Sequence, residues 1–330
     1  MRLNALRPLG KSGIHVSPIG LGCATFGREI DEETSFAIMD RAFDLGIRLF
    51  ATAEAYGGGQ SREYRRQVYG VDDCREVSGE MHSSEKIVGR WLASRGVRDQ
   101  IALLTRKLRN YQRASVREAL SASLERLRTD HADVYLYHQF DPSTPAEEAV
   151  AALDEVTASG LTRTGGCSNY SVAQLSEALE ISRQQGLRRF EVVECIYNLA
   201  VPGIVADLLP LCDREQLGVL GYSPLGAGFL TGKYTPDRTQ LPSGSRFHVI
   251  PGHSDIYFSD RNFRIVGSLQ VLASRLKIPA QRLAMAWVFQ NSSIANVLIG
   301  ARNIEQLDNA VEALTMVFEP EWLAEMNSWD

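Results

Sequence analysis

From Ala132 to Cys167 the chain reads ADVYLYHQFDPSTPAEEAVAALDEVTASGLTRTGGC, and this stretch decides the fold. It opens with an apolar run of strand length, Ala132–Tyr137, and closes with another, Thr162–Cys167. Between them Thr144-Pro-Ala-Glu147 carries a helix-start signature. Pro145 would take the first helical position, where its missing N–H is one of the orphan donors. Gly160 stands where that helix should stop. A strand, a helix and a second strand in succession form a crossover unit, and such units pair their strands in parallel.

The same alternation extends in both directions. Ser17–Leu21, Ile47–Phe50 and Ile101–Thr105 precede the unit, and Glu191–Ile196, Val219–Tyr222 and Asn296–Ile299 follow it. A hairpin is expected around Lys11–Gly13, ahead of the first strand. Ser115-Val-Arg-Glu118 and Ser171-Val-Ala-Gln174 read as further helix starts. Gly46, Gly96, Gly186 and Gly218 read as further stops. Leu120, Leu124 and Leu127 make one apolar stripe, and Ile87, Val88, Trp91 and Leu92 another.

Eight strands in strict alternation with helices predict an α/β protein, a (β/α)8 TIM barrel with an N-terminal hairpin. An open dinucleotide-binding sheet would need a GxGxxG after its first strand, and Gly20-Leu-Gly22 runs instead into Cys23-Ala-Thr-Phe26. The 330 residues suit one barrel, and no linker or low-complexity tract divides them, so residues 1–330 are expected to form a single domain. Gly57–His82 and Leu230–Ser259 are too long for simple loops. They follow the second and seventh strands, which puts both on the C-terminal face, where barrels build their sites.

Composition narrows the function classes. With 35 basic and 40 acidic residues the net charge is −5, which argues against a nucleic-acid partner. No apolar run approaches the roughly 18 residues of a membrane span, so no membrane association is expected. Met1–Leu9 lacks a signal-peptide apolar region. Cys23, Cys74, Cys167, Cys195 and Cys212 are odd in number and scattered, without a CxxC. That pattern suits a reducing cytoplasm and argues against a metal site.

A series of motifs, in order, carries a resemblance. They are Leu9-Gly10-Lys-Ser-Gly13 with Val16-Ser-Pro-Ile-Gly20-Leu-Gly22 and Phe26-Gly27; Tyr56-Gly57; Asp133-Val-Tyr-Leu-Tyr-His138; Gly165-Gly-Cys-Ser168-Asn169-Tyr170; Tyr197-Asn-Leu199; the run from Gly221 to Tyr234; and Ile299-Gly-Ala-Arg302. From about residue 8 to 315 the sequence resembles the aldo-keto reductases. The resemblance implies an NADP(H)-dependent carbonyl reductase on a barrel. By it, Tyr56 is the general acid, and His138 orients the substrate carbonyl. Ser168 and Asn169 hold the nicotinamide carboxamide, with Tyr222 stacked on the ring. Ser223, Leu225, Gly228 and Lys233 align with the pyrophosphate. Gly300, Arg302, Gln306 and Asn309 align with the adenosine and its 2′-phosphate. The chemistry agrees, since Arg302 offers a fork of donors suited to phosphate and Asn303 opens a helix whose amides favour an anion.

Three positions depart from the family pattern. Ala51 stands where an aspartate is expected, Arg106 where a lysine is expected, and Glu194 where a glutamine faces the carboxamide. Lys107, next to Arg106, should point to the other face of its strand unless a bulge re-aims it. A cation beside Tyr56 would lower its pKa. Without the aspartate, Arg106 should be less neutralised and able to grip an anionic substrate group. The Gly57–His82 insertion, with Arg62, Arg65, Arg66, Asp72, Asp73 and Glu80, admits two readings. It is a lid or a source of a new acid or base, His82 included, or else a solvated polar loop. The leading expectation is hydride transfer on a small polar or sugar-like carbonyl or alcohol. The alternatives are a redox-neutral elimination, isomerisation or epimerisation with retained NADP, and a cofactor-binding protein with a decayed site. Oligomeric state stays open.

Overall fold

The computed structural model describes residue 3 and residues 5–70 and 77–329. A two-stranded hairpin, β1 (Arg7–Pro8) and β2 (His15–Val16), leads into eight parallel strands. These are β3 (Ile19–Gly22), β4 (Leu49–Ala51), β5 (Ala102–Lys107), β6 (Ala132–Tyr137), β7 (Thr162–Ser168), β8 (Val192–Ile196), β9 (Gly218–Tyr222) and β10 (Asn296–Gly300). They close in sequence order, with β10 paired to β3. Helices follow the strands as expected: α1 (Glu32–Asp44), α2 (Gly58–Tyr69), α3 (Ser83–Arg95), α4 (Arg113–Leu127), α5 (Ala146–Ala158), α6 (Val172–Gln185) and α7 (Leu208–Glu215). After β9 come α8 (Arg246–Val249), α9 (Ser254–Tyr257), α10 (Asp260–Leu276) and α11 (Ala280–Phe289), and after β10 come α12 (Ile304–Thr315) and α13 (Pro320–Asn327). The expected (β/α)8 barrel with its N-terminal hairpin is therefore the observed fold. No helix among the described residues is long and apolar enough to cross a membrane.

The strands obey period two on a closed surface. Leu49, Ala51, Leu104, Val134, Leu136, Val192, Leu220 and Leu298 pack inside the barrel. Phe50, Leu103, Tyr135, Tyr137 and Val193 pack against the surrounding helices. The hairpin closes the floor, because Leu9, Ile14 and Val16 belong to the inner cluster.

That floor corrects one reading of the sequence. Gly218 does not stop a helix; α7 ends at Gln216 in the left-handed region, and Gly218 begins β9. A Cβ on Gly218 would lie 2.6 Å from the backbone of Leu9, so the glycine is needed for the hairpin to approach. Gly96 and Gly186 do cap their helices with left-handed φ. Ser171 and Gln174 form the expected capping box. Ser115 lies inside α4, two residues past its start. Pro145 is the residue before α5 rather than its first, because the Thr144 hydroxyl bonds Asp141 and the Tyr111 amide instead of capping.

Both long C-terminal-face segments contain ordered structure. Gly57–His82 is not simply a loop: α2 occupies Gly58–Tyr69, while Asp72 and Asp73 lie outside the described residues. Leu230–Ser259 is held by an aromatic cluster, with Tyr234 and Phe247 at 4.4 Å and Phe229 and Tyr257 stacked at 5.7 Å between centroids.

Candidate active site

The inner residues of the strands end at the mouth in a ring of polar groups. Arg106, two residues beyond Leu104 on β5, points into the barrel by the same alternation. Pairing with β6 is continuous from Thr105 through Lys107, so no bulge re-aims Lys107. Arg106 is 3% exposed, and its Nη1 donates to the Tyr56 phenol oxygen at 3.1 Å. Tyr56 sits just beyond β4, in a turn where its amide donates to the Ala53 carbonyl. Its ring meets His138 edge to face at 5.5 Å.

The same guanidinium is anchored from across the barrel. Arg106 Nη1 donates to Glu194 Oε1 at 3.0 Å, and Nη2 lies 2.8 Å from Oε2. Glu194 comes from β8 and is 2% exposed. This overturns the expectation that Arg106, lacking an aspartate at position 51, is poorly neutralised and available to an anionic substrate. Ala51 is buried with the inner leucines, and the compensating carboxylate comes from another strand.

The network continues from Glu194. Ser168 Oγ donates to Glu194 Oε1 at 3.1 Å, and Asn169 Nδ2 donates to Ser168 Oγ and to the His138 carbonyl. Tyr222 Oη donates to Asn169 Oδ1 at 2.7 Å. Asn169 holds a left-handed φ of 60°, which asparagine tolerates and which turns its amide toward both neighbours. Tyr56, Arg106, Glu194, Ser168, Asn169 and Tyr222 therefore form one connected chain.

Burial sets the acidities here. It raises the Tyr56 phenol, and Arg106 only partly offsets it while Glu194 adds to it. The expected lowering by Arg106 is present, but desolvation outweighs it. Burial, with Arg106 nearby, drops His138 to about 3, so its imidazole is neutral. The Nδ1 of His138 is buried with no hydrogen-bond partner among the described residues. Arg106 is held cationic, because Glu194 opposes its own desolvation.

The residues aligned with a cofactor spread along the same rim. Gly228 has a φ of 88°, and a Cβ there would stand 3.1 Å from Lys233 Nζ, so the glycine opens the space that the ammonium occupies. Ser223 follows β9 with φ 54° and accepts at its carbonyl from Asn198; Leu225 precedes the turn containing Gly228. Gly300 is exposed at the end of β10. Gln306 accepts from the Arg302 amide at 3.0 Å, while Asn303 caps α12. Asn309 accepts from Arg282 and donates to the Glu305 carbonyl. Arg302 lies 3.8 Å from Glu29, a buried carboxylate that also pairs with Arg28 and with Arg246 at 3.2 Å. Sequence reading missed Glu29, since nothing in the sequence brings 29, 246 and 302 together. An ammonium at a glycine turn and a guanidinium beside a helix start are donors of the kind phosphates require.

His82 and Glu80 do not supply a new acid or base at Tyr56. His82 Nδ1 sits 2.6 Å from the Glu54 carbonyl, and Gln60 bonds both His82 and that carbonyl, so the pair latches the ends of the insertion. Glu80 pairs with Lys86 and Arg90. No group of three or more potential metal ligands occurs among the described residues.

A closed barrel with a hairpin plug and a mouth that sets a phenol and an imidazole around a buried guanidinium defines a protein of the aldo-keto reductase type. The chain belongs to the aldo/keto reductase family, whose model matches residues 18–330. It is 30% identical over 314 residues to a probable voltage-gated potassium channel subunit beta of Oryza sativa subsp. japonica, covering 94% of this chain and 90% of that one. It is 29% identical to the uncharacterized oxidoreductase YrpG of Bacillus subtilis, covering 97% and 94%. Norsolorinic acid reductase B of Aspergillus parasiticus is 27% identical, covering 92% and 78%. Family membership supports oxidoreductase activity with a nicotinamide cofactor on small-molecule substrates.

Proposed function

We propose that the protein is an NADP(H)-dependent oxidoreductase that reduces a small polar carbonyl, with Tyr56 as the proton donor. The observation that carries this reading is the Tyr56 phenol held at 3.1 Å by buried Arg106 beside neutral His138. Ser168, Asn169 and Tyr222 would hold the nicotinamide end of the cofactor. Ser223, Leu225, Gly228 and Lys233 would hold its pyrophosphate, and Gly300, Arg302 and Gln306 its adenosine end. Asn309, engaged by Arg282, would act by fixing α12. Bound NADPH would supply the hydride.

The protein's own groups handle the proton. Burial keeps Tyr56 protonated at neutral pH, so the donor state is present before reaction. The proton leaves Oη for the carbonyl oxygen, and the resulting phenolate lies against the Arg106 guanidinium, which stabilises it. His138, kept neutral by burial, can orient that same oxygen. Because a raised pKa weakens a general acid, reduction of simple aldehydes should be slow.

Steady-state NADPH oxidation with a panel of polar carbonyls tests the reading, with Tyr56→Phe as control. Turnover that survives Tyr56→Phe would remove the phenol from the mechanism. Product formed without net NADPH oxidation would replace reduction by a redox-neutral reaction.

A further inference from the structure

The Arg106–Glu194 pair does more than neutralise a buried charge. Arg106 Nη1 is shared between Tyr56 Oη at 3.1 Å and Glu194 Oε1 at 3.0 Å, so the carboxylate fixes the direction in which that N–H faces the phenol. Glu194 Oε1 also accepts from Ser168, which fixes the carboxylate in turn. We propose that Glu194 is a positioning residue for the Tyr56 proton donor, holding Arg106 on the phenol from β8 and setting how readily the phenol ionises. This rests on the reductase reading above and identifies a further residue on which that reaction depends.

The fold explains why the side chains are Arg and Glu. β4 and β8 lie four places apart in the ring of eight, diametrically across the barrel. A carboxylate on β8 reaches a group beside Tyr56 only if the cation spans the interior. The guanidinium has a planar fork that can touch two carboxylate oxygens and a phenol at once, which a compact ammonium cannot do. Ala51 leaves the β4 side apolar, and Glu194 supplies the charge from the side where Ser168 and Asn169 stand.

The sign of the effect follows from the charges. With Glu194 ionised, the positive field of Arg106 at Tyr56 is partly cancelled and the phenol is favoured. Glu194→Gln keeps the shape and removes the cancellation, so the phenolate becomes easier to form. We expect about tenfold or more phenolate at a given pH. Returning a carboxylate from β4 should reverse this. Ala51 pairs with Leu104 and faces inward, and Arg106 is the next inward residue, a diagonal neighbour within reach of a long side chain.

The test is ultraviolet titration of tyrosinate in the cofactor-free protein, with the Tyr56→Phe signal subtracted. In the parent, Tyr56 should stay a phenol past its ordinary range. In Glu194→Gln it should titrate at lower pH, and in Ala51→Asp/Glu194→Gln it should move back up. Glu194→Asp, which only retracts the carboxylate, should give a smaller shift in the same direction and covers the case in which Glu194→Gln does not fold. In the reductase assay, the alkaline loss of kcat should move to lower pH in parallel. A Tyr56 titration unchanged in whichever of the Gln and Asp variants fold, even with a lowered melting temperature, would make Glu194 merely structural and overturn the proposal. If the titration shifts but no carbonyl is reduced by the parent, the reductase reading fails and the action of Glu194 on Tyr56 stands.

Discussion

At the floor of the barrel Asp133 is ringed by donors. The Leu103 amide donates to it at 2.8 Å, and Arg98 and Arg163 lie at 3.0 and 2.9 Å. Arg98 spends its other N–H groups on Thr129 and on the carbonyls of Ile101 and His131. At the mouth Arg106 and Glu194 form an even drier pair, joined at 3.0 and 2.8 Å, yet Arg106 Nε has no hydrogen-bond partner among the described residues. A satisfied buried charge network rigidifies a fold, whereas an incompletely satisfied one costs stability. The difference separates the two ends: Asp133 ties β5, β6 and β7 together at the floor end, whereas the mouth pair leaves part of its polar capacity unmet.

The contrast is broken most directly by exchanging the two readouts. Tyr56→Phe should lower kcat for NADPH-dependent reduction by about 10²–10⁴-fold while hardly moving the melting temperature. Asp133→Ala should do the opposite, costing about 1–3 kcal/mol because it leaves the buried Leu103 amide without its acceptor, with kcat nearly retained. Kinetics and urea unfolding on both variants decide the matter. If the stability loss appears at Tyr56 and the rate loss at Asp133, the comparison is wrong.

The mouth pair itself sharpens the argument. Glu194→Leu alone should cost about 3–5 kcal/mol, because it leaves a buried guanidinium uncompensated. Combined with Arg106→Met it should be neutral or stabilising by about 1–4 kcal/mol, since both desolvation costs disappear. A double variant as unstable as the single would mean that the pair is structural, as at the floor.

Arg302 is an intermediate case, on the rim and 46% exposed in its side chain. If it meets the 2′-phosphate, Arg302→Ala should weaken NADP(H) binding by about 10- to 150-fold and NAD(H) binding far less. Titration calorimetry with both cofactors measures this. Equal losses for the two would remove the 2′-phosphate from the assignment.

The effect least visible at neutral pH is on acid stability. His138 is neutral when folded, with its pKa lowered to about 3 by burial, whereas the unfolded chain takes up a proton near its ordinary value. Stability should therefore be complete above about pH 6.5 and fall as pH drops toward 3, by at most about 1.4 kcal/mol per pH unit. Replacing His138 with Gln should flatten that part of the unfolding curve. A slope unchanged by the replacement would show that other groups bind the protons.

How far the site was legible depends on distance along the chain. The strands were readable because period two and flanking glycines are local, and every one recurs within two residues of its expected ends. Tyr56, Arg106, His138, Ser168, Asn169 and Tyr222 were picked out by the resemblance to the aldo-keto reductases, and each lies at or just beyond a strand's C-terminal end. Their meeting at the mouth follows from barrel closure alone. Gly218 was misread because its neighbour Leu9 is more than two hundred positions away. A glycine needed for a close approach looks the same in sequence as one that stops a helix.

The sequence by itself determined the eight-strand alternation and the hairpin, since backbone periodicity and local turn chemistry dictate them, and the resemblance marked the site residues. Only the tertiary structure decided who neutralises Arg106, that the phenol is raised rather than lowered, and that Glu29 gathers three arginines. Coulomb energy and desolvation depend on separations through space and on burial, and neither is encoded by spacing along the chain.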